Sequence, residues 1–182
     1  MSNIFKGLFF GIVLVVITGL SACSTSEKTT TVDVGTSGDS YPSWYVPSGF
    51  GADSLTFHGF ATAVSSDSVI AMANAELQAR INLESNIAEK MESVRKELEE
   101  NGSSAVTNTD FILILRNAHN EVQTAATSED KSSHKEDRGY RGFAKVSITK
   151  IDLESLLKDG FSGHPNYWRE LNSSALFAEE IN

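Results

Sequence analysis

From Asp67 to Glu100 the chain runs without a glycine or proline, and no other stretch constrains the fold as tightly. Ser65-Ser66-Asp67 offers side-chain oxygens to cap the first amides of a helix. Asn101-Gly102 supplies a stop at the other end. A continuous helix over this span would be about 50 Å long, whereas a domain of this size is about 36 Å across. The helix must therefore bend near its middle or project and need a partner. Its first half is apolar on most sides, with Val69, Ile70, Met72, Leu77, Ile81 and Leu83, and Ala71, Ala75 and Ala79 form a smooth stripe that a sheet can approach closely. From Ile87 the apolar positions narrow to Ile87, Met91, Val94 and Leu98 on a charged helix, which is the pattern of an arm leaving a core. Met91, Val94 and Leu98 are accordingly the candidate partner-facing residues.

The remaining elements are shorter. Leu55, Phe57, Gly59, Ala61 and Ala63 alternate with Thr56, His58, Phe60 and Thr62, which predicts a strand, and Gly59 predicts close approach by the helix that follows. Asn108-Thr109-Asp110 precedes Phe111, Ile114, Leu115, Ala118, Val122 and Ala125 at helical spacing. Thr127 to Arg138 reads as a polar loop or an exposed edge strand. Ala144, Val146 and Ile148 alternate with Phe143, Lys145, Ser147 and Thr149 in a further strand, and Asp152 is the expected cap of a short helix ending at Gly160. Tyr41 to Pro47 carries three aromatics, Tyr41 before Pro42 and Trp44 and Tyr45 between Pro42 and Pro47, and reads as an irregular pad on the domain edge. The expected fold class is α+β, with a small antiparallel sheet packed against one long helix, a second helix and a short C-terminal helix.

The N-terminus has a different character. Lys6, an apolar run from Leu8 to Leu20 and small residues before Cys23 follow the three-part layout of a secretory signal. The run is too short and too interrupted, by Gly11, Thr18 and Gly19, for a membrane span. Leu20-Ser21-Ala22-Cys23 resembles the lipobox of bacterial lipoproteins, which implies a diacylglycerol thioether and a further acyl chain such as palmitate on Cys23, enough for stable anchoring. Ser24 in place of Asp resembles the signal for transfer to the outer membrane. The expected organisation is a signal peptide over 1–22, a flexible Ser/Thr/Gly-rich tether over 23–40, one domain over 41–160, and a tail over 161–182 that either packs or stays loose.

Removing residues 1–22, whose one charge is Lys6, would make the formal charge of −9 one unit more negative. Such a balance argues against nucleic acid as a partner and against polybasic adhesion to anionic lipid. Cys23 is the only cysteine, so no intramolecular disulfide can form, and His58, His119, His134 and His164 share no metal-ligand spacing. No cofactor motif or nucleophile elbow is present in the sequence. Arg80, on the apolar first half of the long helix, is read as lying along apolar surface with its head paired to Glu76 or Glu84.

In this order, the lipobox, the Pro42 and Trp44 pad, Gly59 with Ala61, and the run Ala71, Ala75, Ala79-Arg80 and Leu83 resemble the twenty-kilodalton bacterial lipoprotein family. The resemblance spans about Pro42 to Thr149; Asn101 to Arg138 departs from it in being longer and more charged. It implies a compact α+β domain at the outer membrane or cell surface without enzymatic activity, with relatives among ring-forming flagellar lipoproteins. The expected role is a structural or protein-interaction one, by self-association or docking on another envelope component. The alternative is a small-ligand or glycan module using Trp44, Tyr45, Tyr167 and Trp168, which requires those four rings to share an exposed cleft.

Overall fold

The computed structural model describes residues 41–181; the expected signal peptide, Cys23 and the tether lie outside the described residues. The fold is α+β, a four-stranded antiparallel sheet packed on a long helix and accompanied by shorter helices. The strands are β1 (Phe50–Ala52), β2 (Thr56–Ser65), β3 (Thr127–Glu136) and β4 (Gly139–Thr149), in the order β1-β2-β4-β3. The helices are α1 (Ser68–Glu100), α2 (Thr109–Asn120), α3 (Val122–Ala125), α4 (Lys150–Gly160), α5 (Pro165–Leu171) and α6 (Ala175–Ile181), with a 3-10 turn at Ala105–Thr107.

α1 is continuous, and its ends form as the sequence predicts. Asp67 Oδ1 accepts the amides of Val69 and Ile70 at 2.8 and 3.0 Å. At the other end Gly102 adopts φ +91°, Ser103 N–H donates to the Leu98 carbonyl and Gly102 N–H to that of Glu99, a Schellman stop. The sheet lies against the Ala71, Ala75, Ala79 stripe, all three fully buried. Two glycines make this contact possible. A Cβ on Gly59 would overlap the Ala79 carbonyl oxygen and stand 2.7 Å from Leu83 Cβ, and one on Gly142 would overlap the Ala71 carbonyl and stand 2.5 Å from Met72 N. Gly59 faces Val146 and Gly142 faces Ala63 across the β2–β4 ladder, so the two glycines lie on one face of neighbouring strands.

The length problem is resolved inside the molecule. β2 reaches about 33 Å beside a helix of about 50 Å, and Lys90 Nζ, 6.0 Å from the rings of both Phe50 and Phe57, marks where the sheet ends. Beyond Lys90 the helix is enclosed by the 3-10 turn, α2 and the C-terminal helices. Met91 and Val94 are 0% exposed and Leu98 5%, in one core cluster with Val106, Phe111, Leu115, Phe161, Leu171, Phe177 and Ile181. The expectation that Met91, Val94 and Leu98 face a partner is therefore corrected: their partners are intramolecular. The tail does not begin a separate segment at 161 either, since Phe161, Leu171, Phe177 and Ile181 are core residues and the packed body runs through Ile181. Lys90 Nζ to Glu180 Oε2 at 2.5 Å, and the Ser174 hydroxyl bonded to Glu97, fasten this part to α1.

Smaller departures have local causes. Thr149, rather than Asp152, caps α4: its side chain accepts the Asp152 amide at 3.0 Å. Thr127 to Glu136 is the edge strand of the two alternatives, paired to β4 with a register shift between Ser128 and Asp130. β1 has three residues, too few to show a period.

Candidate interaction surface

Because α1 touches the sheet along Ala71, Ala75 and Ala79, residues on its opposite side in the first half have no layer above them. Ile70, Ala73, Leu77 and Ile81 recur there at steps of three and four, which sets them on one face. Ile70 is 52% and Leu77 58% exposed, Ala73 is exposed and Ile81 half-buried. α2 covers this side of α1 only from Glu84 onward, where His119 Nδ1 lies 2.7 Å from Glu84 Oε1. The flank of the stripe is held by charge. Arg80 bonds Glu76 at 2.9 Å and also donates to the Gln123 carbonyl at 2.9 Å and to that of Ala126, so its head ties α1 to α3. Lys131 of β3 reaches the other Glu76 oxygen at 2.9 Å. Burial pushes the Glu76 carboxyl up, but the hydrogen bonds from Lys131 and Arg80 outweigh it and hold the group below the usual glutamate range.

The aromatic rings read from the sequence fall into two separate clusters. Tyr45 packs edge-on against Phe60 and Phe143 and stacks with Tyr41, and Trp44 meets Tyr45, so the pad covers the outer face of the sheet rather than its edge. Tyr167 packs on Phe111, and Trp168 on Phe161 and Phe177, within the helical part. The two sets share no ring contact, and each is spent on covering buried phenylalanines.

The same outer sheet face carries a polar cluster that sequence reasoning missed. Asp53 Oδ1 accepts the amides of Leu55 and Thr56, closing the β1–β2 turn, while Oδ2 lies 3.1 Å from His58 Nε2. His58 Nδ1 is 3.7 Å from Glu129 Oε2, and Lys145 Nζ is 2.6 Å from the same oxygen. Burial raises the Glu129 carboxyl, yet the hydrogen bonds from Lys145 and Ser147 leave it below its ordinary value. Asp53 is lowered too, chiefly by the Leu55 amide and then by His58. Through His58 and Lys145 this arrangement links the β1–β2 turn to the β3 bulge across β4. Its only sequence signal is the alternation that sets His58, Lys145 and Ser147 on one face.

A cleft of 570 Å³ between α2 and α4 has Ile114, Ala118 and Leu156 in its walls and Glu121, Asp152 and Asp159 at its rim. Among the described residues no group of three or more His, Cys, Asp or Glu is placed to hold a metal ion, and no helix is long and apolar enough to cross a membrane. Cys23, the expected lipid attachment residue, lies outside the described residues. Comparison with protein-family models, with curated proteins and with solved structures gives no match.

Proposed function

We propose that the chain is a lipid-anchored envelope lipoprotein, held through Cys23 and most suited to the outer membrane, whose domain has a non-enzymatic, protein-interaction role. The anchor rests on Leu20-Ser21-Ala22-Cys23 at the end of an apolar run. The interaction role rests on one observation: Ile70, Ala73, Leu77 and Ile81 form a row of exposed or half-buried apolar side chains on the side of α1 away from the sheet. A second copy is the occupant proposed for this face, because a short straight stripe on a helix is complementary to itself about a two-fold axis.

The two parts are tested separately. Cys23→Ser should release the protein from the membrane fraction or leave an unprocessed precursor, with no labelled fatty acid incorporated; unchanged membrane retention would refute the anchor. Light scattering on the chain from Ser24 onward should show a concentration-dependent dimer that Leu77→Asp abolishes. A strict monomer at high concentration would exclude self-association and leave docking on another envelope protein as the interaction to seek.

A further inference from the structure

Resting on the lipid-anchor reading, we infer that the domain has a membrane-facing end, formed where β2 runs into α1 and β3 turns into β4, and that this end lies against the bilayer carrying the anchor. The first observation is where the tether enters. The 17 residues from Ser24 to Ser40 lie outside the described part, which starts at Tyr41, packed edge-on against Phe143 at 5.7 Å; Phe143 stands opposite Thr62, three residues from the end of β2. The described chain therefore begins nearer this end than the β1–β2 turn, which lies about 20 Å away along β2.

The second observation is what the end presents. Val64 (56% exposed) is the last outward-facing aliphatic of β2, and Val69 (66%) lies in the first turn of α1. Ser65 and Ser66 between them lie against Gly139, at φ +150°, so closely that a Cβ there would overlap the Ser65 carbonyl. Tyr41, Val64 and Val69 thus belong to one end of the molecule, the end with the β3–β4 turn. The third observation is charge. The chain carries −9, which repels it from anionic lipid, but here Lys135, Arg138 and Arg141 stand with Asp67, Glu136 and Asp137. Arg141 is paired to Glu136, and the exposed Lys135 and Arg138, offset by the exposed Asp67 and Asp137, are the groups that can meet lipid phosphates. A balanced, partly apolar end on a short tether is held near the surface at high effective concentration, so weak contacts are enough to orient the domain. The opposite end has two still more exposed aliphatics, Leu55 and Ile151, joined where Lys150 N–H donates to the Leu55 carbonyl; on this reading they point away from the membrane.

The test uses the acylated full-length protein in vesicles of phosphatidylethanolamine and phosphatidylglycerol, with and without brominated acyl chains. Val69→Trp and Leu55→Trp are each compared with the parent, whose Trp44 and Trp168 supply the background. An indole seated about 5–10 Å into the headgroup boundary is quenched by brominated lipid, so the emission added at Val69 should be quenched and that added at Leu55 should not. Vesicle flotation without quenching at Val69 overturns the inference and leaves the anchor standing. A blue-shifted but unquenched Val69→Trp overturns it in favour of a protein covering this end. Failure to float overturns the inference together with the anchor.

Discussion

The two halves of α1 share one unbroken backbone and differ in what surrounds them. The first half carries the denser apolar sequence, yet it is covered on one side, by the sheet, and Ile70 and Leu77 stay in solvent. The second half carries a narrow apolar seam among charges, yet Met91 and Val94 have no exposed surface. Apolar density along a helix therefore does not measure its burial; the number of layers it contacts does. A sheet can cover only one face of a helix, whereas several short helices can surround it, and here they are α2, α5, α6 and the 3-10 turn.

The sharpest way to break the contrast is to remove those short helices. Truncation after Gly160 takes away Phe161, Leu171, Phe177 and Ile181, and should abolish cooperative thermal unfolding by circular dichroism and raise binding of a hydrophobic dye; a cooperative transition would mean that the second half stands without them. Met91→Ala should cost about 2–5 kcal/mol of monomer stability in urea unfolding, as buried large-to-small changes do. Gly142→Ala, in the first half's contact with the sheet, should cost about 1–3 kcal/mol by overpacking the Ala71 carbonyl.

Acid gives a smaller effect with a definite sign. Glu92, through the Arg95 hydrogen bond against the effect of burial, and Glu76, through Lys131 and Arg80, both have carboxyls held below the usual range in the folded state. Each contribution is fully present above the ordinary glutamate value of about 4.3 and is lost as pH falls below it through the lowered folded value. After solvent screening each is worth a few tenths to about 1 kcal/mol. Glu76→Gln should therefore flatten the acid limb of stability more than Glu92→Gln, whose side chain is 46% exposed against 21% for Glu76. The least effect belongs to Leu77→Ala, within about 0.5 kcal/mol for an exposed site, measured on monomer at low concentration; a loss as large as that of Met91→Ala would erase the distinction between the halves.

Much of this fold is legible from local rules. Asp67 and Asn101-Gly102 bound α1, the alternation through β2 and β4 gives the sheet its buried face, and Gly59 announces the close helix because nothing larger fits there. Arg80 takes Glu76, one of the two partners expected. The tail escaped because its information is not periodic: Phe161, Leu171, Phe177 and Ile181 are spread over a helix end and two helices of seven residues, broken by Pro165 and by Asn172-Ser173. With that cover unseen, Met91, Val94 and Leu98 looked like a seam without an owner. The His58 cluster escaped for another reason, since Asp53 and Glu129 are brought to it by strand pairing across the sheet.

The strand edges decide what kind of aggregate this chain can enter. β1 offers only three residues, and β3, though ten long, carries Glu129, Lys131 and Lys135 along an exposed, bulged edge. A further strand added there would have to accommodate these charged side chains and a broken register, which disfavours growth by backbone pairing. Both edges of the described sheet are thus poor templates for a fibre, the one by its shortness and the other by its charges and bulge.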